Sequence, residues 1–84
     1  MKPNNALITF GGEVRRHRLA QGMTLQALSD IADLSPNFLG GVELGQRNPS
    51  LVTAISIAKG LGVPLGELVG DFHDLSPPAR SQAR

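Results

Sequence analysis

The chain contains no cysteine, tryptophan or tyrosine, and only three phenylalanines. Without thiols there are no disulfide staples and no thiolate metal sites, so the fold has to rest on packing alone. Long apolar runs are missing as well. No stretch approaches the roughly 20 consecutive apolar residues of a membrane span, so no membrane partner is expected. Lys2 is followed by Pro3, Asn4 and Asn5 rather than by an apolar region, so a secretory signal is not expected and the chain reads as cytoplasmic. Charge of one sign is not in large excess: 8 lysines and arginines face 7 acids, and the net +1 neither demands nor excludes nucleic acid. Catalytic motifs are absent too. There is no GxxxxGK[ST] phosphate loop and no serine, histidine and carboxylate arrangement with motif support, which argues against an enzyme. His17 and His73 lie far apart with no ligand set around them, so no metal or cofactor is expected, and His17 reads as a half-buried helical histidine.

At 84 residues the chain is long enough for one domain near the lower size limit, where only about 60% of the unfolded surface is buried on folding and the stability margin is small. The basic residues Arg15, Arg16, Arg18, Arg47 and Lys59 precede the late acids Glu67, Asp71 and Asp74, a modest polarity able to turn a weakly basic face toward phosphate.

What the sequence does contain is helix punctuation. Leu7, Phe10 and Val14 recur at near-helical spacing, with Leu19 as a further member and Gly22 as a stop, predicting a first helix over 6–21. Thr24 caps a second over 24–32, with Leu25, Leu28 and Ile31 or Ala32 inward. Ser35 followed by Pro36 caps a third over 35–44, ended by Gly45. Ser50 opens a fourth over 50–60, in which Leu51, Ala54, Ile55, Ala58 and Leu61 repeat at i, i+3, i+4, i+7, with Gly60 or Gly62 as the stop. Val63 and Pro64 introduce a short fifth over 64–70. No period-two alternation points to strands, so the expected fold class is all-α. Residues 1–5 read as a flexible start, 6–70 as the folded domain, and 71–84 (DLSPPARSQAR from Asp74) as a flexible tail or linker.

The second and third helices are joined only through Asp33 and Leu34. Two short helices connected so tightly cross steeply, which is the helix-turn-helix geometry, with the second helix projecting outward. On a helical wheel Leu39 and Val42 fall on one side of that second helix with Phe38 at the margin, while Asn37, Gly40, Gly41 and Leu44 fall on the other.

These helices, and the residues Phe10-Gly11, Val14, Arg18, Gly22-Met23-Thr24, Leu28, Ala32, Leu34-Ser35, Leu39, Val42-Glu43, Gly45, Arg47 to Leu51, Ile57-Ala58 and Leu61 to Pro64, resemble the phage repressor and Cro type of helix-turn-helix domain, the xenobiotic-response-element family of bacterial regulators. The segment GGVELGQRNPSL is similar to restriction-modification controller proteins within it. The resemblance implies a compact five-helix, lambda-repressor-like domain that binds double-stranded DNA with the helix beginning at Ser35 in the major groove. Asn37 is then the leading base reader, since its amide donates and accepts together as adenine requires, while Pro36 offers apolar contact to a thymine methyl. Ser35, Phe38, Gly40 and Gly41 complete the expected reading helix.

The glycine pair departs from the family pattern, which usually carries polar or basic side chains there. Two interior glycines cost roughly 2 kcal/mol of helix stability. They either admit a close DNA backbone and give Asn37 and Phe38 room, or mark degraded readout. The resemblance places phosphate contacts at the amino end of the second helix, where Thr24 and Gln26 stand and Leu25 replaces the family's usual glutamine. It also places Gln46, Arg47 and Asn48 in a loop that grips the sugar-phosphate chain or reaches a base. Arg15 and Arg16 are weaker candidates, balanced against an ordinary solvated face. Arg18 and Glu43 match positions that form a structural ion pair between the first and third helices. Family members pair on inverted repeats with half-sites about 34 Å apart, so a homodimer is expected. Leu65, Leu68, Val69 and Phe72 exceed what the short fifth helix needs for its core and are the candidate dimer contacts. The leading expectation is a sequence-specific transcriptional repressor or controller. Two others stand beside it: a protein-interaction module on the same scaffold, and the DNA-binding part of a longer regulator. No feature identifies a small-molecule effector.

Overall fold

A computed structural model describes residues 5–69; the expected tail over 71–84, with Phe72 and His73, lies outside them. The described residues form five helices and no strand: α1 Asn5–Ala20, α2 Leu25–Ala32, α3 Pro36–Glu43, α4 Leu51–Leu61 and α5 Leu65–Val69.

Local chemistry sets the boundaries. Thr24 Oγ1 accepts the Ala27 amide at 3.0 Å and starts α2. Asp33 ends it in the left-handed region at φ 60°, its amide donating to Ser29 and Asp30 carbonyls, and the Leu34 amide returns to Ser29 at 2.9 Å. Ser35 Oγ then accepts the Phe38 amide at 3.1 Å, with Pro36 filling the first helical turn, where a missing N–H costs nothing. The tight crossing expected from Asp33 and Leu34 is therefore built entirely from caps. Gly45 leaves α3 at φ 74°, and a Cβ there would also stand 2.9 Å from the Ile8 side chain, so both conformation and space require glycine. Ser50 caps α4 in the same manner as Ser35 caps α3, and Gly62, not Gly60, ends it.

Phe10 and Val14 of α1, Leu28 of α2, Leu39 and Val42 of α3, Ile57, Ala58 and Leu61 of α4, and Leu68 of α5 converge on one core. Each fully buried leucine or isoleucine contributes about 1.5–3 kcal/mol. α1 packs on α3 and α5, while α2 packs on α3 and α4. Gly11 sits where α1 meets α3; a Cβ there would collide with the Val42 carbonyl oxygen, so its absence sets how closely the two helices cross. Held from behind by α1 and α2, α3 keeps its other side free.

Three expectations about facing are corrected. Leu19 is 50% exposed, because α1 turns Phe10, Gly11, Val14 and Arg18 inward instead. In α4 the inward stripe is Ala54, Ile57, Ala58 and Leu61, the same i, i+3, i+4, i+7 spacing started three residues later; Leu51 is 68% exposed and Ile55 also lies outward. Leu68 is completely buried in the domain's own core and has no surface to offer a second subunit, so it leaves the candidate pairing set, while Leu65 and Val69 are half-buried at the core's edge.

Candidate nucleic-acid interface

The free side of α3 forms one wall of a shallow concavity of about 450 Å³, lined by Pro36, Asn37, Gly40, Gly41 and Leu44, with Leu25 from α2 and Gln46 and Arg47 from the following loop. The wheel of α3 explains the selection. Leu39 and Val42 point into the core, and at 100° per residue Asn37, Gly40, Gly41 and Leu44 fall on the side opposite to them. Asn37 is exposed and makes no hydrogen bond to the described residues, so all of its amide donor and acceptor capacity is available.

The loop returns to α3 through its backbone: the Gln46 and Arg47 amides donate to the Gly41 carbonyl at 2.8 and 3.2 Å. The Arg47 side chain then lies back over the helix. Its Cγ is 2.5 Å and its Nε 3.5 Å from the point a Gly41 Cβ would occupy. No carboxylate among the described residues pairs with its guanidinium. At Gly40 a Cβ would only touch Leu25 at 3.4 Å, an ordinary contact, so the two glycines are not equivalent.

Other candidates are placed differently. Thr24 and Ser35 spend their hydroxyl oxygens on caps, though both remain exposed. Gln26 donates to Asp30 at 2.8 Å along its own helix. Phe38 is half-buried against the core and does not line the concavity, because the Ser35 cap fixes the start of α3 with this ring turned inward. Asn48 is directed with Pro49 to a second groove of about 230 Å³, whose walls include Ala6, Leu7, Leu51, Leu65 and Val69. Leu25 and Leu44 also line the concavity, and the sequence signal for Leu44 is its place on the same side of the wheel as Asn37.

Behind the concavity Arg18 meets Glu43 in a two-pronged pair, Nε to Oε2 at 2.7 Å and a terminal nitrogen to Oε1 at 3.0 Å, and a third N–H donates to the Met23 carbonyl at 2.9 Å. Both side chains are buried. Hydrogen bonding to Glu43 outweighs desolvation and holds the Arg18 guanidinium above the usual arginine range. On the exposed face of α1, Arg16 is engaged with Glu13 at 2.7 Å, and that hydrogen bond holds the Glu13 carboxyl below its usual range. Arg16 is thereby less available to phosphate than Arg15. His17 is half-buried between Glu13 and Glu67, at 4.0 and 3.8 Å, joining α1 to α5. Among the described residues no cluster of histidines and acids is able to hold a metal ion, and no helix is long and apolar enough to cross a membrane.

Comparison with known proteins identifies the architecture. A helix-turn-helix family profile matches residues 14–68. A control protein, C.MunI, from a Mycoplasma species is 32% identical over 71 residues, covering 83% of this chain and 96% of that protein. The immunity repressor of Bacillus phage phi105 is 31% identical over 76% of this chain, which spans 44% of the phage protein's length. Among solved structures, the restriction-modification controller protein C.AhdI from Aeromonas hydrophila superposes with a TM-score of 0.72 at 39% identity, over 74% of this chain and 94% of that one.

Proposed function

Because the chain belongs to the helix-turn-helix family of xenobiotic-response-element type, a family of DNA-binding transcriptional regulators and not of enzymes, we propose that it reads an inverted-repeat operator as a homodimer, with α3 in the major groove. The observation that carries this reading is the outward wall of α3, where Asn37 and Arg47 line one concavity with no side-chain partner for either among the described residues. In the groove, the Asn37 amide pairs with an adenine edge, and Pro36 and Leu44 supply apolar contact to thymine methyls. Gln46 lies within the same concavity as a further polar contact. The first amides of α2, near Gln26, face a phosphate, with the positive end of the helix dipole behind them. Restriction-modification controllers and phage repressors among the relatives make a repressor or controller role the natural one.

The test is binding of the purified chain to duplex DNA by fluorescence anisotropy, with footprinting on the DNA upstream of its own coding region. Phosphate neutralisation requires log Kobs to fall against log salt with a slope of roughly −0.9 per phosphate contacted. A protected inverted repeat and a steep negative slope are expected. Binding that is absent, or indifferent to salt, sinks the proposal and favours a protein-interaction module.

Pairing is assigned to the second groove and its rim. Leu51 and Ile55 are apolar yet exposed, one helical turn apart on α4, and Leu51 shares the groove with the half-buried Leu65 and Val69. Leu51→Asp tests this cleanly, because an acid in the first turn of α4 favours the helix and no core contact is lost. The variant is expected to sediment as a folded monomer and to lose most of its operator affinity. A dimer that survives Leu51→Asp unchanged places the interface elsewhere.

A further inference from the structure

Resting on the DNA-binding reading above, we propose that Gly41 is a specificity-determining position: its missing side chain seats Arg47 on the reading face of α3, where the guanidinium reads a guanine base rather than a phosphate. Three observations carry the inference. The Arg47 stem occupies the volume a residue-41 side chain would fill, with Cγ 2.5 Å from the ideal Cβ position, closer than two such carbons tolerate. Both loop amides that anchor residues 46 and 47 end on the Gly41 carbonyl, so backbone and side chain of the loop are fixed to the same residue. The arginine also lines the concavity that holds Asn37, instead of projecting from the flank of the domain.

A loop arginine that reached for the DNA backbone would extend away from α3 to the edge of the groove. Here the side chain lies against the helix that enters the groove, beside the amide that reads adenine. On the concave side the middle turn of α3 presents only Gly40 and Gly41, and the arginine supplies a side chain there from outside the helix. Its planar fork matches the O6 and N7 acceptors of guanine, the commonest specific contact in the major groove. The guanidinium is free of carboxylate partners among the described residues, so none of them competes for it. Gly41 and Gly40 therefore have different jobs: only at position 41 does a methyl group displace the arginine.

The experiment is selection of binding sites from a library of random-sequence duplexes with the wild-type chain, Arg47→Lys and Gly41→Ala. Lysine keeps the charge but not the fork, and Gly41→Ala keeps the arginine but removes its seat. The wild type is expected to select a motif with one fixed guanine per half-site. Both variants are expected to lose that guanine while keeping the rest of the motif, with preference at the position falling roughly tenfold or more. Replacing the guanine with 7-deazaguanine should weaken the wild type and leave both variants unaffected. Gly41→Ala is expected to melt no lower than wild type, since alanine favours a helix interior. Retention of the guanine by Gly41→Ala overturns the role of Gly41. A uniform loss of affinity in Arg47→Lys with the motif intact makes Arg47 a phosphate contact and overturns the base assignment; this exposed substitution leaves the core untouched, so the result holds even if Gly41→Ala were to misfold. A wild-type chain that selects no motif overturns the DNA-reading proposal itself, and this one with it.

Discussion

Glu43→Ala is expected to leave the protein at the edge of unfolding at 25 °C, read as a urea transition moved close to zero denaturant and a partial loss of helical circular dichroism. The carboxylate accepts two charge-assisted bonds from Arg18, and both partners are buried where α1 crosses α3. Removing one member of such a pair strands the other's charge away from water, a loss of about 3–5 kcal/mol. A domain of this length holds on the order of 5 kcal/mol in total, so the substitution consumes most of its stability. Arg18 cannot shed its charge to escape. Hydrogen bonding to Glu43 raises its folded-state pKa above the usual arginine range, so what the guanidinium charge contributes to stability is lost only as pH rises through that range, outside any working pH. The double variant Arg18→Met with Glu43→Leu separates charge stranding from the value of the pair itself. Apolar replacement of both partners removes the desolvation penalty together with the attraction, and is expected to recover most of the stability that Glu43→Ala loses. A single variant that stays folded with a loss below about 1 kcal/mol would class the pair with ordinary surface salt bridges.

The helix ends were readable because each depends on one or two adjacent residues. Thr24, Ser35 and Ser50 cap, Pro36 follows its cap, and Gly45 leaves by the left-handed region; all of these are local chemistry, independent of what packs where. Which face turns inward is a different kind of information. Anchoring the α4 pattern on Leu51 gave a stripe with the right spacing, but small residues decided otherwise: Ala54 and Ala58 lie beneath neighbouring helices and carry Ile57 inward with them, leaving Leu51 and Ile55 outside. The same limit explains Leu68. Nothing in a five-residue helix tells whether its apolar side covers its own core or a partner's, and the answer came from α1 lying across α5. In the candidate site, the residues of α3 followed from the wheel, whereas the relation between Gly41 and Arg47 did not. Six positions separate them, and only the loop's return through the Gly41 carbonyl brings the arginine over the glycine. The two alternatives weighed for the glycine pair, close approach or lost readout, both treated the empty space as facing DNA, while at Gly41 the space is filled by the protein itself.

Asn37→Ala is expected to separate affinity from specificity more sharply than any other change. The side chain is exposed on the outward wall of α3 and bonded to nothing among the described residues, so its removal leaves no buried group unpaired; alanine, a stronger helix former than asparagine, keeps α3 folded. A bidentate amide–adenine contact contributes about 1–3 kcal/mol of discrimination against the wrong base. In a two-fold dimer on an inverted repeat the contact occurs in both half-sites, so the loss on the preferred duplex is expected at about 2–6 kcal/mol, roughly 30-fold to 10⁴-fold in Kd. On a scrambled duplex of the same length the variant should bind as the wild type does, because no phosphate contact has changed, and the slope of log Kobs against log salt should be unaltered on both duplexes. Anisotropy titrations of the two proteins on the two duplexes over a range of salt concentrations measure all of this. Equal weakening on preferred and scrambled DNA, or a shallower salt slope, would make Asn37 a backbone contact. The groove-facing side of α3 would then be misassigned, and the reading of Arg47 beside it would have to be revised for the same reason.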